Sequence, residues 1–75
     1  RILICDDDEF FCNTVALVLR NEGMIVRILN DPSKILDTMQ EYPPELLLLD
    51  VMMPGVTGFE VCRMLRQIPR WQDLP

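Results

Sequence analysis

Four aspartates stand where carboxylate chemistry is possible. Asp6-Asp7-Asp8 follows directly on the apolar run Ile2-Leu3-Ile4-Cys5, and Asp50 follows directly on Leu46-Leu47-Leu48-Leu49. Acids gathered in one cleft repel one another, and a hard divalent cation with all-oxygen ligation relieves that repulsion. Mg²⁺ usually takes one or two carboxylates together with waters and phosphate oxygens, which would leave one carboxylate here to react. Each acid also has a structural reading. Acids between a strand and a helix cap that helix and complement its dipole, at about 0.3–1 kcal/mol each. Asp8 and Glu9 read as such capping residues. For Asp6 and Asp7 the spacing leaves capping and metal ligation both open. Asp50 begins a loop rather than a helix, so capping does not explain it, and a solvated loop acid is its alternative.

The elements that must position these acids follow from the apolar periodicity. Ile2–Cys5 is a short continuous apolar run, which suits a strand buried on both faces. From Phe10 the pattern turns helical, with Phe11, Val15, Val18 and Leu19 on one face and Cys12 and Ala16 beside them. Gly23 ends that helix. Met24 to Leu29 predicts a second strand. Asn30-Asp31-Pro32 opens a second helix, with Asp31 as N-cap and Pro32 at the first helical position. Ile35, Leu36 and Met39 form its apolar stripe, and Tyr42-Pro43-Pro44 breaks it. Leu46–Leu49 is the third strand, and Val51 to Thr57 is a loop. A third helix begins near Gly58, with Val61, Cys62, Leu65 and Ile68 inward and Pro69 as its end. The order βαβαβα implies an α/β fold with a parallel sheet, and right-handed crossovers place helices on both faces. Open α/β sheets bind ligands beyond the carboxyl ends of their strands. If the first strand lies between the second and third, the acids meet there.

Composition narrows the field. The chain has 75 residues, with 7 Lys and Arg against 12 Asp and Glu, for a net charge of −5. Phosphate neutralisation needs clustered Lys and Arg, so direct nucleic-acid binding is not expected. No apolar run approaches the roughly 20 residues that span a bilayer, so no membrane association is expected. There is no histidine, which excludes His-ligated zinc, Ser–His–Asp catalysis and phosphohistidine chemistry within the chain. Cys5, Cys12 and Cys62 have no C-x-x-C spacing, and no export signal precedes them, so they read as reduced thiols of a cytoplasmic protein. They also read as small core hydrophobes, Trp71 as a packing anchor, and Met24, Met39 and Met64 as core or half-buried filler. Arg63, Arg66 and Arg70 read as a solvated face.

Two segments carry a resemblance. Ile2-Leu3-Ile4-Cys5-Asp6-Asp7-Asp8 is similar to the first strand and acidic pair of a response-regulator receiver domain. Leu46 to Glu60, with Asp50-Val51-Met52-Met53-Pro54 and then Gly58, resembles that family's phosphoacceptor strand, loop and following helix. The resemblance covers the whole chain. It implies a flavodoxin-like parallel sheet in the order 2-1-3, with three strands of an expected five. It implies Asp50 as phosphoacceptor, with Asp7 as a direct Mg²⁺ ligand, Asp6 acting mostly through metal-bound water, Asp50 itself on the metal, and the backbone carbonyl of Met52 as a further ligand. The implied donor is a phosphohistidine on a sensor histidine kinase or phosphotransfer protein, and the implied role is to switch a downstream output domain. The chemistry is self-phosphorylation and self-dephosphorylation rather than turnover of a free substrate. Pro54 and Gly55 shape the loop, and Gly58 lets the third helix approach closely.

Residues 1–75 read as a receiver truncated before its fourth strand. The hydroxyl residue after strand four and the lysine after strand five have no counterpart, and Lys34 falls in the second helix. Leu46–Leu49 is then expected as a bare apolar edge open to self-association. Two other functions compete. One is a receiver-like interaction module that is no longer phosphorylated. The other is an aspartyl-nucleophile hydrolase of the haloacid dehalogenase type, against which Phe10 stands at the last position of D-x-D-x-[T/V]. Dinucleotide binding is excluded, since no G-x-G-x-x-G follows the first strand.

Overall fold

The computed structural model describes residues 1–75. Strand β1 (Ile2–Cys5) leads into helix α1 (Glu9–Asn21), strand β2 (Val26–Leu29), a 3₁₀ turn (Pro32–Lys34) and helix α2 (Ile35–Glu41). Strand β3 (Leu46–Leu49), the short strands β4 (Met52–Met53) and β5 (Val56–Thr57), and helix α3 (Gly58–Arg66) complete the chain. The main sheet has the order β2-β1-β3. All pairs are parallel, with Cys5 opposite both Leu29 and Leu49. The three strands therefore end level, and Asp6, Asn30 and Asp50 emerge at one rim.

Alternation of the β1 side chains divides the core into two layers. Leu3 and Cys5 point to one face, where they pack with Ile35 and Met39 of α2, Val61 and Leu65 of α3, Met53 and Trp71. Ile2 and Ile4 point to the other, against Cys12 and Ala16 of α1 and Val26. Burying each such Leu or Ile is worth about 1.5–3 kcal/mol, so β1 anchors both layers. Trp71 is the packing anchor its position suggests. No helix is long and apolar enough to cross a membrane.

Several elements differ from the reading of the sequence. The buried positions of α1 are Cys12 and Ala16, whereas Phe11 and Val18 are exposed. The Asp8 side chain accepts from the Phe11 N–H at 3.1 Å and fixes the helix start. From that start, positions 12 and 16 face the sheet, and their small side chains let the helix lie close to it. Strand β2 is two residues shorter than expected, leaving Met24 and Ile25 exposed. Helix α3 stops at Arg66, before Pro69. Met64 is exposed rather than core filler. Residues Val51–Thr57 are not a plain loop. Met52 pairs with Thr57 and Met53 with Val56 in an antiparallel hairpin, reversed at Pro54-Gly55 with Gly55 at φ 81°. That left-handed conformation costs glycine nothing. The edge of β3 is not wholly bare, because the Leu47 N–H donates to the Pro75 carbonyl at 3.0 Å.

Candidate metal and phosphoacceptor site

Ladder hydrogen bonds carry the acids to the rim. The Asp6 N–H donates to the Leu29 carbonyl at 3.1 Å, and the Asp50 N–H donates to the Cys5 carbonyl at 3.0 Å. Each acid is thus the first residue beyond its strand with its own amide still tied to the sheet. Carboxylate oxygens of Asp6, Asp7 and Asp50 all lie within 4.8 Å of one another. Asp6 and Asp50 are half-buried and Asp7 is exposed. The structure therefore brings together three of the four residues singled out as ligands. Met52 stands two residues past Asp50, at the first position of β4, with its side chain exposed.

The electrostatics of this cluster are unrelieved within the chain. The one ion pair is between the N-terminal ammonium of Arg1 and Glu45. No lysine or arginine pairs with any of the three aspartates. Partial burial pushes the Asp6 carboxyl above its ordinary value; a hydrogen bond from the Asp8 N–H opposes this, and the charges of Asp50 and Asp7 and a contact with the Asp50 carboxyl add to it. Three oxygen donors, mutually repelling and without a cationic partner, form a donor set that suits a small hard divalent cation. Removing that repulsion is what a bound cation would supply.

The remaining acid at this rim has a structural job. Asp8 is the N-cap of α1 and points its oxygen at the first turn. Its own N–H donates to Asp6 Oδ1 at 3.0 Å, which orients the Asp6 carboxylate. On the other side, Asp50 is bracketed by the start of α3. The Gly58 N–H donates to the Val51 carbonyl at 2.8 Å. A Cβ at Gly58 would overlap the Asp50 carbonyl oxygen and sit 2.9 Å from its carbonyl carbon, so the close approach expected at Gly58 is an approach to Asp50 itself. Thr57 caps α3 by accepting from the Glu60 N–H at 3.2 Å, and its hydroxyl donates back to Glu60 Oε1 at 3.3 Å. This side-chain cap fixes where α3 begins.

One contributor was not visible. Asn30 was read only as part of a helix start, yet its side-chain amide donates to the Asp6 carbonyl at 2.8 Å. Asp6 and Asp50 also line a trough of about 310 Å³ between α1 and β3, walled by Phe11, Val15, Leu48 and Val51. The displaced Phe11 of α1 therefore borders the site instead of the core.

Comparison with known proteins agrees with the fold. The family described as the response regulator receiver domain matches residues 2–75. Over its whole length the chain is 40% identical to protein RcaC of Microchaete diplosiphon, of which it spans 12%. It is 44% identical over 66 residues, 88% of its length, to the DNA-binding response regulator MtrA of Mycolicibacterium smegmatis, of which it spans 29%. The chain thus covers less than a third of either relative. Among solved structures, the N-terminal domain of a response regulator receiver protein from Methanoculleus marisnigri superposes with a TM-score of 0.92 at 27% identity, covering 99% of this chain and 60% of that one. The BeF3-activated receiver domain of RstA from Klebsiella pneumoniae matches with a TM-score of 0.84 at 30% identity, covering 89% and 57%. Fold, strand order and family match coincide: the chain belongs to the response regulator receiver domain family of two-component signalling.

Proposed function

We propose that Asp50 is the phosphoacceptor and that Asp6, Asp7, Asp50 and the Met52 backbone carbonyl hold a Mg²⁺ ion beside it. The observation that carries this reading is the meeting of three carboxylates within 4.8 Å with no basic side chain among them. Asp6 and Asp50 are held by the sheet, so their separation is set before any ligand arrives. Asp7 is exposed and reaches the cluster from the solvent side. The bound ion supplies charge neutralisation and in-line positioning of the phosphoryl group.

A carboxylate is a weak nucleophile, so the donor must be activated. An Asp50 Oδ attacks phosphorus, the new O–P bond forms, and the bond from phosphorus to the donor's imidazole nitrogen breaks. The electron pair of that bond leaves with the imidazole. The product is an acyl phosphate on Asp50; attack of water at phosphorus then breaks the Asp50 O–P bond, releases inorganic phosphate and returns the carboxylate. The donor would be a sensor histidine kinase or phosphotransfer protein, and the acceptor would act on an output domain in the cytoplasm. The BeF3-activated relative supports this reading, since beryllofluoride is a phosphoryl mimic.

Incubation with Mg²⁺ and a small-molecule phosphodonor, followed by intact mass spectrometry, tests this. The expected result is one added phosphoryl group, absent after chelation and absent in Asp50→Asn. Retention of the added mass in Asp50→Asn would overturn the assignment.

A further inference from the structure

Beyond the carboxylates themselves, the peptide that joins two of them is tied down by side chains. The Asp6 carbonyl lies just past the last ladder bond of β1 and before α1, whose first turn uses the Asp8 carbonyl through the Cys12 N–H at 3.0 Å. No backbone N–H serves the Asp6 carbonyl. Its partners are two side chains: the Asn30 amide at 2.8 Å and the Cys12 thiol at 3.5 Å. The Asn30 amide nitrogen also lies 3.6 Å from Cys12 Sγ. The end of β2, the end of β1 and the first turn of α1 meet at this node.

The Asp6 carbonyl belongs to the peptide unit between Asp6 and Asp7. That unit is planar, so fixing the direction of its carbonyl fixes ψ of Asp6 and φ of Asp7 together. Rotation of the plane would swing the Asp7 Cα–Cβ bond relative to the Asp6 carboxylate. A thiol is a weak donor and the amide a strong one, so Asn30 supplies most of the restraint. The amide is also neutral. A lysine or arginine in its place would pair with the acids and compete with a cation, and a carboxylate would repel the carbonyl.

We infer that Asn30 is a positioning residue for the cation site, setting the angle between the Asp6 and Asp7 carboxylates through the peptide that links them. This rests on the reading of that cluster as a metal site. The test uses Asn30→Leu, close in size and without a donor, with Asn30→Ala read the same way should the leucine disturb folding. Tyr42→Phe is the control. It removes the hydroxyl that donates to the Ile25 carbonyl at 3.0 Å, at the opposite end of the sheet. Mg²⁺ affinity is measured by calorimetry, folding by circular dichroism without metal, and the Asp7 amide by its ¹⁵N chemical shift.

Outer partners of metal ligands commonly carry 10–100-fold in affinity. The Asn30 variants are expected at the low end, about tenfold weaker, with a shifted Asp7 amide resonance. Tyr42→Phe is expected to lower the unfolding temperature and leave Mg²⁺ affinity unchanged. Wild-type affinity in the Asn30 variants overturns the inference alone, and so does an equal loss in Tyr42→Phe. Unchanged affinity in Asp7→Asn overturns the metal reading, and the inference with it.

Discussion

The carboxyl ends of β1 and β3 are neighbours built on opposite plans. Beyond β1 the acids run straight into α1, and much of their bonding capacity is spent locally. Asp8 caps the helix, Asp6 Oδ1 accepts from the Asp8 N–H, and the Asp6 carbonyl is shared by Asn30 and Cys12. Beyond β3 a hairpin intervenes before α3, and its cap comes from Thr57 rather than from Asp50. Asp50 caps no helix, and its backbone is held by the Cys5 carbonyl on one side and the Gly58 contact on the other. A reactive carboxylate is best placed where no helix depends on it. The rim of β2 follows the β1 plan, since Asp31 is taken up by the Ser33 N–H and hydroxyl.

This contrast can be broken by substitution. The largest effect is expected at Asp50→Asn, which should abolish phosphoryl incorporation while the unfolding temperature rises, because one of three crowded charges is gone. A fall in unfolding temperature would show that Asp50 bears structure after all. Next is Gly58→Val. The clash is with main chain, which cannot swing aside, so a loss of about 1–3 kcal/mol is expected. It should come with weakened phosphoryl uptake, read by urea unfolding and intact mass. Asp8→Ala should cost about 1 kcal/mol as a lost cap, yet still accept a phosphoryl group at Asp50. Loss of uptake there would erase the division of labour.

The smallest effect concerns pH. Hydrogen bonds from the Ser33 hydroxyl and N–H hold the Asp31 carboxyl below its ordinary value. A depressed acid contributes stability above its unfolded-state pKa, and that contribution is lost as pH falls through the folded-state value. Asp31→Ala should therefore flatten the acid limb of an unfolding-temperature profile and leave the neutral region lower. An unchanged acid limb would remove Asp31 from the structural side of the comparison.

Much of this was legible in the sequence, for physical reasons. Continuous apolar runs such as Ile2–Cys5 mark strands buried on both sides, and a β1 that serves two cores is the central strand of the 2-1-3 order. The gathering of Asp6, Asp7 and Asp50 was conditional on β1 lying between β2 and β3, an order that the family resemblance implied and the structure has. The facing of α1 was not legible, because Phe11 and Val18 outweigh Cys12 and Ala16 in hydrophobicity while the small residues make the close contact. The hairpin at Met52–Thr57 was hidden because two-residue strands carry no alternation. Asn30 was hidden for another reason. A side chain that serves a main-chain carbonyl far away in sequence leaves no periodic trace.

The missing side chain at position 58 has a mechanical meaning. With the helix seated against the Asp50 carbonyl and hydrogen-bonded to Val51, no gap remains between them to absorb movement. A movement of the Asp50 carbonyl toward the helix would meet the α3 backbone directly, with no side chain between them. The absence of one methyl group thus puts two main chains in direct contact.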